Sequence, residues 1–206
     1  MVIETLCHQN VGKQVAVAGL YCDYTAHKEQ SMVHMLGAIL KQVVSGWEHI
    51  PEEIEAAFQK SKSELDGREL ESAEILRLLI STLRILERSY ICIDALDEFP
   101  RDYRPELFRF LAQITRESLG TRLFVTGRPH ILEEVERYFT RRTGIRIIPC
   151  KGDIERYLRM RFCNDTQPTV MSDSLREEIF TTIPEKISEM YVTDIRILCT
   201  LFAVIY

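Results

Sequence analysis

Two stretches of the 206-residue sequence combine residue types suited to phosphate and metal chemistry. In YICIDALDEF, Tyr90–Phe99, a hydrophobic run ends in Asp94, and Asp97 and Glu98 follow at once. Carboxylates at the C-terminal end of a parallel strand face the crevice where α/β sheets bind ligands. The first acid there can hold Mg²⁺ through water, and a following acid can orient or deprotonate an attacking water. The plainer alternative is a solvated, inert acidic turn. In RLFVTGRPH, Arg122–His130, a second hydrophobic run ends in Thr126, followed by Gly127, Arg128 and Pro129. If the two strands are neighbours, Arg128 lies beside the acidic cluster, where a guanidinium can read a terminal phosphate. Its plainer alternatives are an exposed residue before a helix, or an ion-pair partner of Asp97 or Glu98.

Other candidates lack a complete pattern. Val11-Gly12-Lys13-Gln14 contains Gly-Lys, but a phosphate loop is G-x-x-x-x-G-K-[ST]. Here Cys7 stands at the first Gly and Gln14 at the hydroxyl residue, so the segment reads as a turn. Cys7-His8 and Cys22 with His27 have no matching second half of a zinc site. The basic stretches Arg141–Arg146 and Arg156–Arg161 have acidic neighbours and read as solvated faces. With 26 Lys+Arg against 31 Asp+Glu, the net charge of −5 argues against nucleic acid and anionic membrane as partners. The longest apolar run, Ile197–Tyr206, is ten residues, too short for the roughly 18 that a spanning helix needs. Met1–Asn10 carries Glu4 and no basic region, unlike a signal peptide, and the six cysteines form no C-x-x-C pair. The composition, 46% hydrophobic and 28% charged, is that of a globular chain with a sizeable core, and the expected location is cytoplasmic.

The elements that must position these residues alternate. Continuous apolar runs at Val15–Cys22, Tyr90–Ala95, Leu123–Thr126 and Ile145–Cys150 read as buried strands. Between the first two, Met32, Met35, Leu36, Ile39, Leu40 and Val43 keep helical spacing. Pro51 opens a segment carrying Ile54, Ala57 and Phe58, and Leu76, Leu79, Ile80, Leu83 and Leu86 line another helix. Leu107, Phe108, Leu111 and Ile114 mark a helix closed by Gly120, and Pro129 stands where a further helix would begin. Such alternation implies an α/β layered fold with a mostly parallel sheet. From Asp153 onward the strand signal stops: Asp153 is positioned to cap one helix, and Ser172 or Ser174 the next. The expected division is an α/β core over residues 1–150 and a small helical part over 151–206.

Together, YICIDALDEF, LFVTGRP, AVAGLYCDY (Ala16–Tyr24) and GDIERYLRMRF (Gly152–Phe162) resemble the NACHT-type signalling NTPases of the STAND class. Within them the likeness is to the fungal branch whose N-terminal region is nephrocystin-like and often precedes ankyrin or other repeats. It runs from about residue 1 to about residue 190. The resemblance implies a three-layer P-loop NTPase fold, ATP and Mg²⁺ as cofactors, and protein partners or self-oligomerisation in the complete protein. It makes Asp94 the Mg²⁺-associated acid of the Walker B element and Asp97 with Glu98 the hydrolytic pair. Arg128, with Thr126 at the strand end, matches the phosphate-sensing element, although Gly127 stands where Ser is usual.

The sequence departs from that family at both ends. The phosphate loop and its strand are missing before the helix that Met1–Gln9 continues, and MYVTDIRILCTLFAVIY, Met190–Tyr206, drifts from the family pattern. A truncated or mis-joined product, incapable of ATP hydrolysis by itself, is the expectation; a catalytically inactive interaction module is the alternative. In the implied fold the absent strand lies between Leu123–Thr126 and Ile145–Cys150. Its loss leaves two inner edges unpaired, with Tyr90–Ala95 between Val15–Cys22 and Leu123–Thr126. Ile145–Cys150 is then expected to be detached or drawn directly beside Leu123–Thr126.

Overall fold

The computed structural model describes residues 2–9, 14–26, 30–63, 70–140, 143–147, 151–163, 171–193 and 201–205. The Gly-Lys pair read from the sequence as a turn, His27, Cys150 and Cys199 lie outside them. The chain divides into two compact units: Met1–Ile145 together with Phe202–Tyr206, and Arg146–Leu201.

Within the first unit the order is helix α1 (Val2–Gln9), strand β1 (Val15–Tyr21), α2 (Met32–Val44), α3 (Glu52–Ser63), α4 (Ser72–Ile85), β2 (Arg88–Asp94), α5 (Arg104–Glu117), β3 (Thr121–Gly127) and α6 (Leu132–Tyr138). The apolar spacing of α2 fills the core with Met32, Met35, Leu36, Ile39, Leu40 and Val43, and the Ser31 hydroxyl caps it by accepting the His34 N–H. In α4, Leu78, Leu79 and Leu83 are fully buried, as are Leu107 and Phe108 in α5. Pro129 opens a 3-10 turn, Pro129–Ile131, and the α-helix proper begins only at Leu132.

The sheet order is β1-β2-β3-β5-β4, where β4 is Thr143–Ile147 and β5 is Leu201–Ile205. β1, β2 and β3 run parallel, as the alternation of apolar runs and helices implies, and β2 lies between the other two, as the fold implied by the resemblance has it. Burial along β2 and β3 is nearly continuous, as strands covered on both faces require. On β1, at the sheet edge, Ala16, Ala18 and Leu20 are buried while Val15, Val17 and Gly19 are half-covered. The free edge is blunted locally: the Gln42 amide accepts the Gly19 N–H at 2.9 Å and donates to the Gly19 carbonyl at 3.0 Å. A side chain at Gly19 would meet Ile3 of α1, so α1 lies over that face.

Two expectations are corrected here. The strand signal does not stop at Asp153, because β5 is a strand. Nor is the fourth apolar run detached or beside β3: β4 is separated from β3 by β5, and residues 148–150 lie outside the described ones. β5 pairs antiparallel with β3, Phe124 opposite Ile205 through Gly127 opposite Phe202. The physical reason is the edge itself. A strand as buried as β3 cannot leave its N–H and C=O groups unpaired, and the all-apolar LFAVI segment supplies partners.

The second unit holds α7 (Lys151–Cys163) and α8 (Asp173–Thr193). α7 begins before Asp153, which therefore sits in the first turn rather than at the cap, favourably placed for the helix dipole. Ser172, not Ser174, caps α8, its hydroxyl accepting the Leu175 N–H at 3.3 Å. The helices meet through Phe162 and Phe180, ring centroids 5.1 Å apart, with Arg159 over Phe180 and Arg176 over Phe162. One of the basic stretches thus contributes cation–π packing rather than a wholly solvated face.

Candidate functional site

The register of β2 against β3 decides which side chains meet. At the start of both strands the hydroxyls of Ser89 and Thr121 lie 2.7 Å apart, buried, and Thr121 donates on to the Ser118 hydroxyl at 2.9 Å. Gly120 permits this closeness, since a Cβ there would stand 2.8 Å from the Glu87 carbonyl oxygen. Pairing runs from Ser89 opposite Thr121 to Ile93 opposite Val125, so the next residues on the two strands are Asp94 and Thr126. The Thr126 hydroxyl donates to the Asp94 carboxylate and accepts the Ala95 N–H at 3.0 Å.

Ala95 is the single described non-glycine residue with positive φ, at 54°. This left-handed conformation costs a residue with a Cβ on the order of 1 kcal/mol. It turns the chain sharply, drops Leu96 into the core with no exposure, and sets Asp97 and Glu98 in a 3-10 turn, Leu96–Glu98. The Asp97 side chain is only 4% exposed. Asp97 Oδ1 accepts the Arg128 N–H at 3.1 Å, and Oδ2 lies 3.4 Å from Arg128 Nε. Arg128 Nη2 stands 3.7 Å from Glu98 Oε1, while Glu98 Oε2 accepts the Tyr24 N–H at 3.4 Å. Asp94, Asp97, Glu98, Thr126 and Arg128 therefore gather at one end of the sheet. Arg128, 53% exposed, is there an ion-pair partner of both Asp97 and Glu98.

Sequence reasoning missed the residue beneath this turn. Arg104 is 5% exposed. Its Nη2 donates to the carbonyls of Asp97 (3.3 Å) and Phe99 (3.1 Å), and its Nη1 reaches both carboxylate oxygens of Glu134 at 3.3 Å. The signal was present: Arg104, Leu107, Phe108 and Leu111 share one helical face, so an arginine occupies a core-facing position of α5. Cys22, just after β1, donates its backbone N–H to the Asp94 carbonyl at 3.0 Å. Burial, and then the charges of Asp94, Asp97 and Glu98, push its thiol pKa up to about 12, so it stays a neutral apolar group.

Oxygen donors of this kind suit a hard cation, yet no three metal-ligating side chains converge anywhere among the described residues. No helix among the described residues is long and apolar enough to cross a membrane. No curated protein and no solved structure matches the chain. The family model described as Nephrocystin 3, N-terminal, matches residues 1–128, more than half of the sequence and the part that contains the acidic turn, Thr126 and Arg128. The chain thus belongs to the nephrocystin 3 N-terminal family.

Proposed function

We propose that this chain carries the Walker B and sensor elements of a NACHT-like, ATP-dependent signalling switch of the STAND class. The observation that supports this reading is the convergence of Asp94, Asp97, Glu98, Thr126 and Arg128 where two neighbouring parallel strands end. Asp94, oriented by the Thr126 hydroxyl, is the acid that would face a hydrated Mg²⁺ ion. Mg²⁺ supplies neutralisation of phosphate charge when bound. Asp97 and Glu98 would accept or orient the protons of an attacking water. Arg128 would exchange its carboxylate partners for the oxygens of a terminal phosphate, which suits a guanidinium equally well.

A phosphate cradle of backbone N–H groups and a Lys is the component these five residues cannot replace. None of the 206 residues falls into G-x-x-x-x-G-K-[ST], so hydrolysis requires a cradle from outside them. Residues 1–206 alone are expected to give no ATP turnover and no saturable micromolar ATP binding by calorimetry; saturable binding would overturn this. In a chain that also carries such a loop, Asp94→Ala should weaken Mg²⁺-nucleotide binding, whereas Glu98→Gln should mainly slow turnover. A carboxylate on the metal acts in the bound state, one on the water in the transition state. Equal losses of binding in both variants would reject the roles.

A second reading, a catalytically inactive interaction module, is favoured by one feature: Asp97, Glu98 and Arg128 satisfy one another. If a loop-bearing chain still binds no nucleotide, that reading replaces the first.

A further inference from the structure

Part of the outer edge of β1 carries backbone groups that have no partner among the described residues. The direction of these groups alternates along the strand. Cys22 donates its N–H to the Asp94 carbonyl, so Leu20, Ala18 and Ala16, at every second residue before it, also turn toward β2. Val15, Val17 and Gly19 turn away. Gly19 finds its partner in the Gln42 carboxamide, at 2.9 and 3.0 Å. Among the described residues, nothing pairs with the outward N–H and C=O groups of Val15 and Val17. We propose that this edge docks an extended peptide segment of another protein, which adds as a strand along Val15–Val17 and places an apolar side chain in the cavity beside it.

The cavity measures about 540 Å³ and is lined by Val15, Ala16 and Val17 themselves. That is within the range of about 300–1,000 Å³ of pockets that enclose a ligand group. Val43 and Trp47, with Ile85 and Leu86 at the end of α4, add apolar surface, and the Trp47 N–H fixes its turn by donating to the Val44 carbonyl at 3.1 Å. Cys7 of α1 lines the cavity too, so the edge is recessed among α1 and the ends of α2 and α4. This recess selects the occupant. A second sheet carrying helices of its own cannot approach so enclosed an edge to the strand spacing of about 4.8 Å, whereas a single extended segment can. Its backbone matches the outward groups, and its alternate side chains point to one side, into the cavity. The edge is also unguarded. No charge, proline or bulge interrupts Val15–Val17, although these are the devices that usually blunt an edge. The Gln42 carboxamide, itself peptide-like, fills the next outward position and ends the docking stretch at Gly19. The cavity lies at the opposite end of β1 from the acidic turn, since Val15 pairs with Arg88 and Tyr21 with Asp94.

The probe is a phage-displayed library of random linear heptapeptides, selected on the full chain. Enriched sequences are expected to repeat apolar residues with a period of two, and a labelled synthetic copy to bind in fluorescence polarisation. Val17→Pro removes one outward N–H and leaves the ladder to β2 intact, because that group faces away from it. It should weaken the peptide by about tenfold or more, as loss of a hydrogen bond with its acceptor left unpaired does. Trp47→Ala, which empties one wall of the cavity, should weaken it as well. In the free chain the amides of Val15 and Val17 should exchange with deuterium faster than those of Ala16 and Ala18, and the peptide should slow them. If Val17→Pro does not fold, N-methylation of the peptide makes the same test on the unaltered chain: methylation at alternate nitrogens only should abolish binding. No enriched peptide, equal binding to Val17→Pro, or no protection of the Val15 and Val17 amides overturns the proposal. A dimer of the chain in light scattering that Val17→Pro abolishes overturns it too, because the edge then belongs to a second copy.

Discussion

Arg104→Met replaces a buried guanidinium by an apolar side chain of similar length, directly beneath the acidic turn. The variant loses two charge-assisted hydrogen bonds, to the Asp97 and Phe99 carbonyls, at 3.3 and 3.1 Å. These lie at the long end of the normal range, so each is taken at the low end, about 1.5 kcal/mol. The ion pair with Glu134 is lost as well, but the Glu134 side chain is 27% exposed and rehydrates, which limits that loss to about 1 kcal/mol. Against this stands a gain: Arg104 Nε is buried without a hydrogen-bond partner, and its removal returns about 1 kcal/mol. The net expectation is a destabilisation of about 3 kcal/mol, or a Tm lower by roughly 6–12 °C for a chain of this size. Urea unfolding followed by Trp47, the sole tryptophan and a residue of the same compact unit, should show a lower midpoint with an unchanged slope. Arg104→Lys should recover part of the loss, since one ammonium cannot serve two carbonyls and a carboxylate with the same geometry. A loss below about 1 kcal/mol for Arg104→Met, or the same loss whether or not Glu134 is also changed to Gln, would refute the reasoning.

Thr126→Val, close in shape but without the hydroxyl, should cost about 1–2 kcal/mol in chemical denaturation, because Asp94 and the Ala95 N–H both lose their partner; Thr126→Ser should cost less. Gly120→Ala should cost about 1–3 kcal/mol, since the added methyl meets a backbone oxygen at 2.8 Å, whereas Gly46→Ala, with nothing within 4 Å, should not show that clash penalty in the same assay. Cys7 and Cys163 are exposed and should be alkylated readily in the native chain at pH 8, while Cys22 and Cys92, with pKa values raised to about 12 and about 11 chiefly by burial, should react only after unfolding; mass spectrometry of the labelled peptides reads the difference. The same shifts bear on stability: above pH 9 the unfolded thiols ionise while the folded ones stay protonated, so the folded chain binds more protons and stability falls as pH rises from about 9 toward 12. Cys22→Ala with Cys92→Ala should flatten that decline in urea midpoints measured across the range.

Local order in the sequence determined the elements and, at one end of the sheet, the site. Continuous apolar runs marked β1, β2 and β3 because central parallel strands are covered on both faces, and the 3-4 spacing of leucines and isoleucines marked α2, α4 and α5 because one helical face is buried. An acid that ends a buried strand, and a Thr-Gly-Arg that ends the next, lie at the same end of a parallel sheet whatever surrounds them. The partners were decided by the tertiary structure. Arg128 pairs with Asp97 and Glu98 because a left-handed Ala95 aims the acidic turn at β3, and Arg104 braces that turn because α5 presents it to the core. Strand order beyond β3 was likewise out of reach of any local pattern. β5 enters the sheet more than seventy residues after β3, through hydrogen bonds that only backbone supplies, so no periodicity marks its neighbour. Side-chain spacing records which face of an element is buried; it does not record which other element covers it, and the unpaired edge of β3 alone makes that choice.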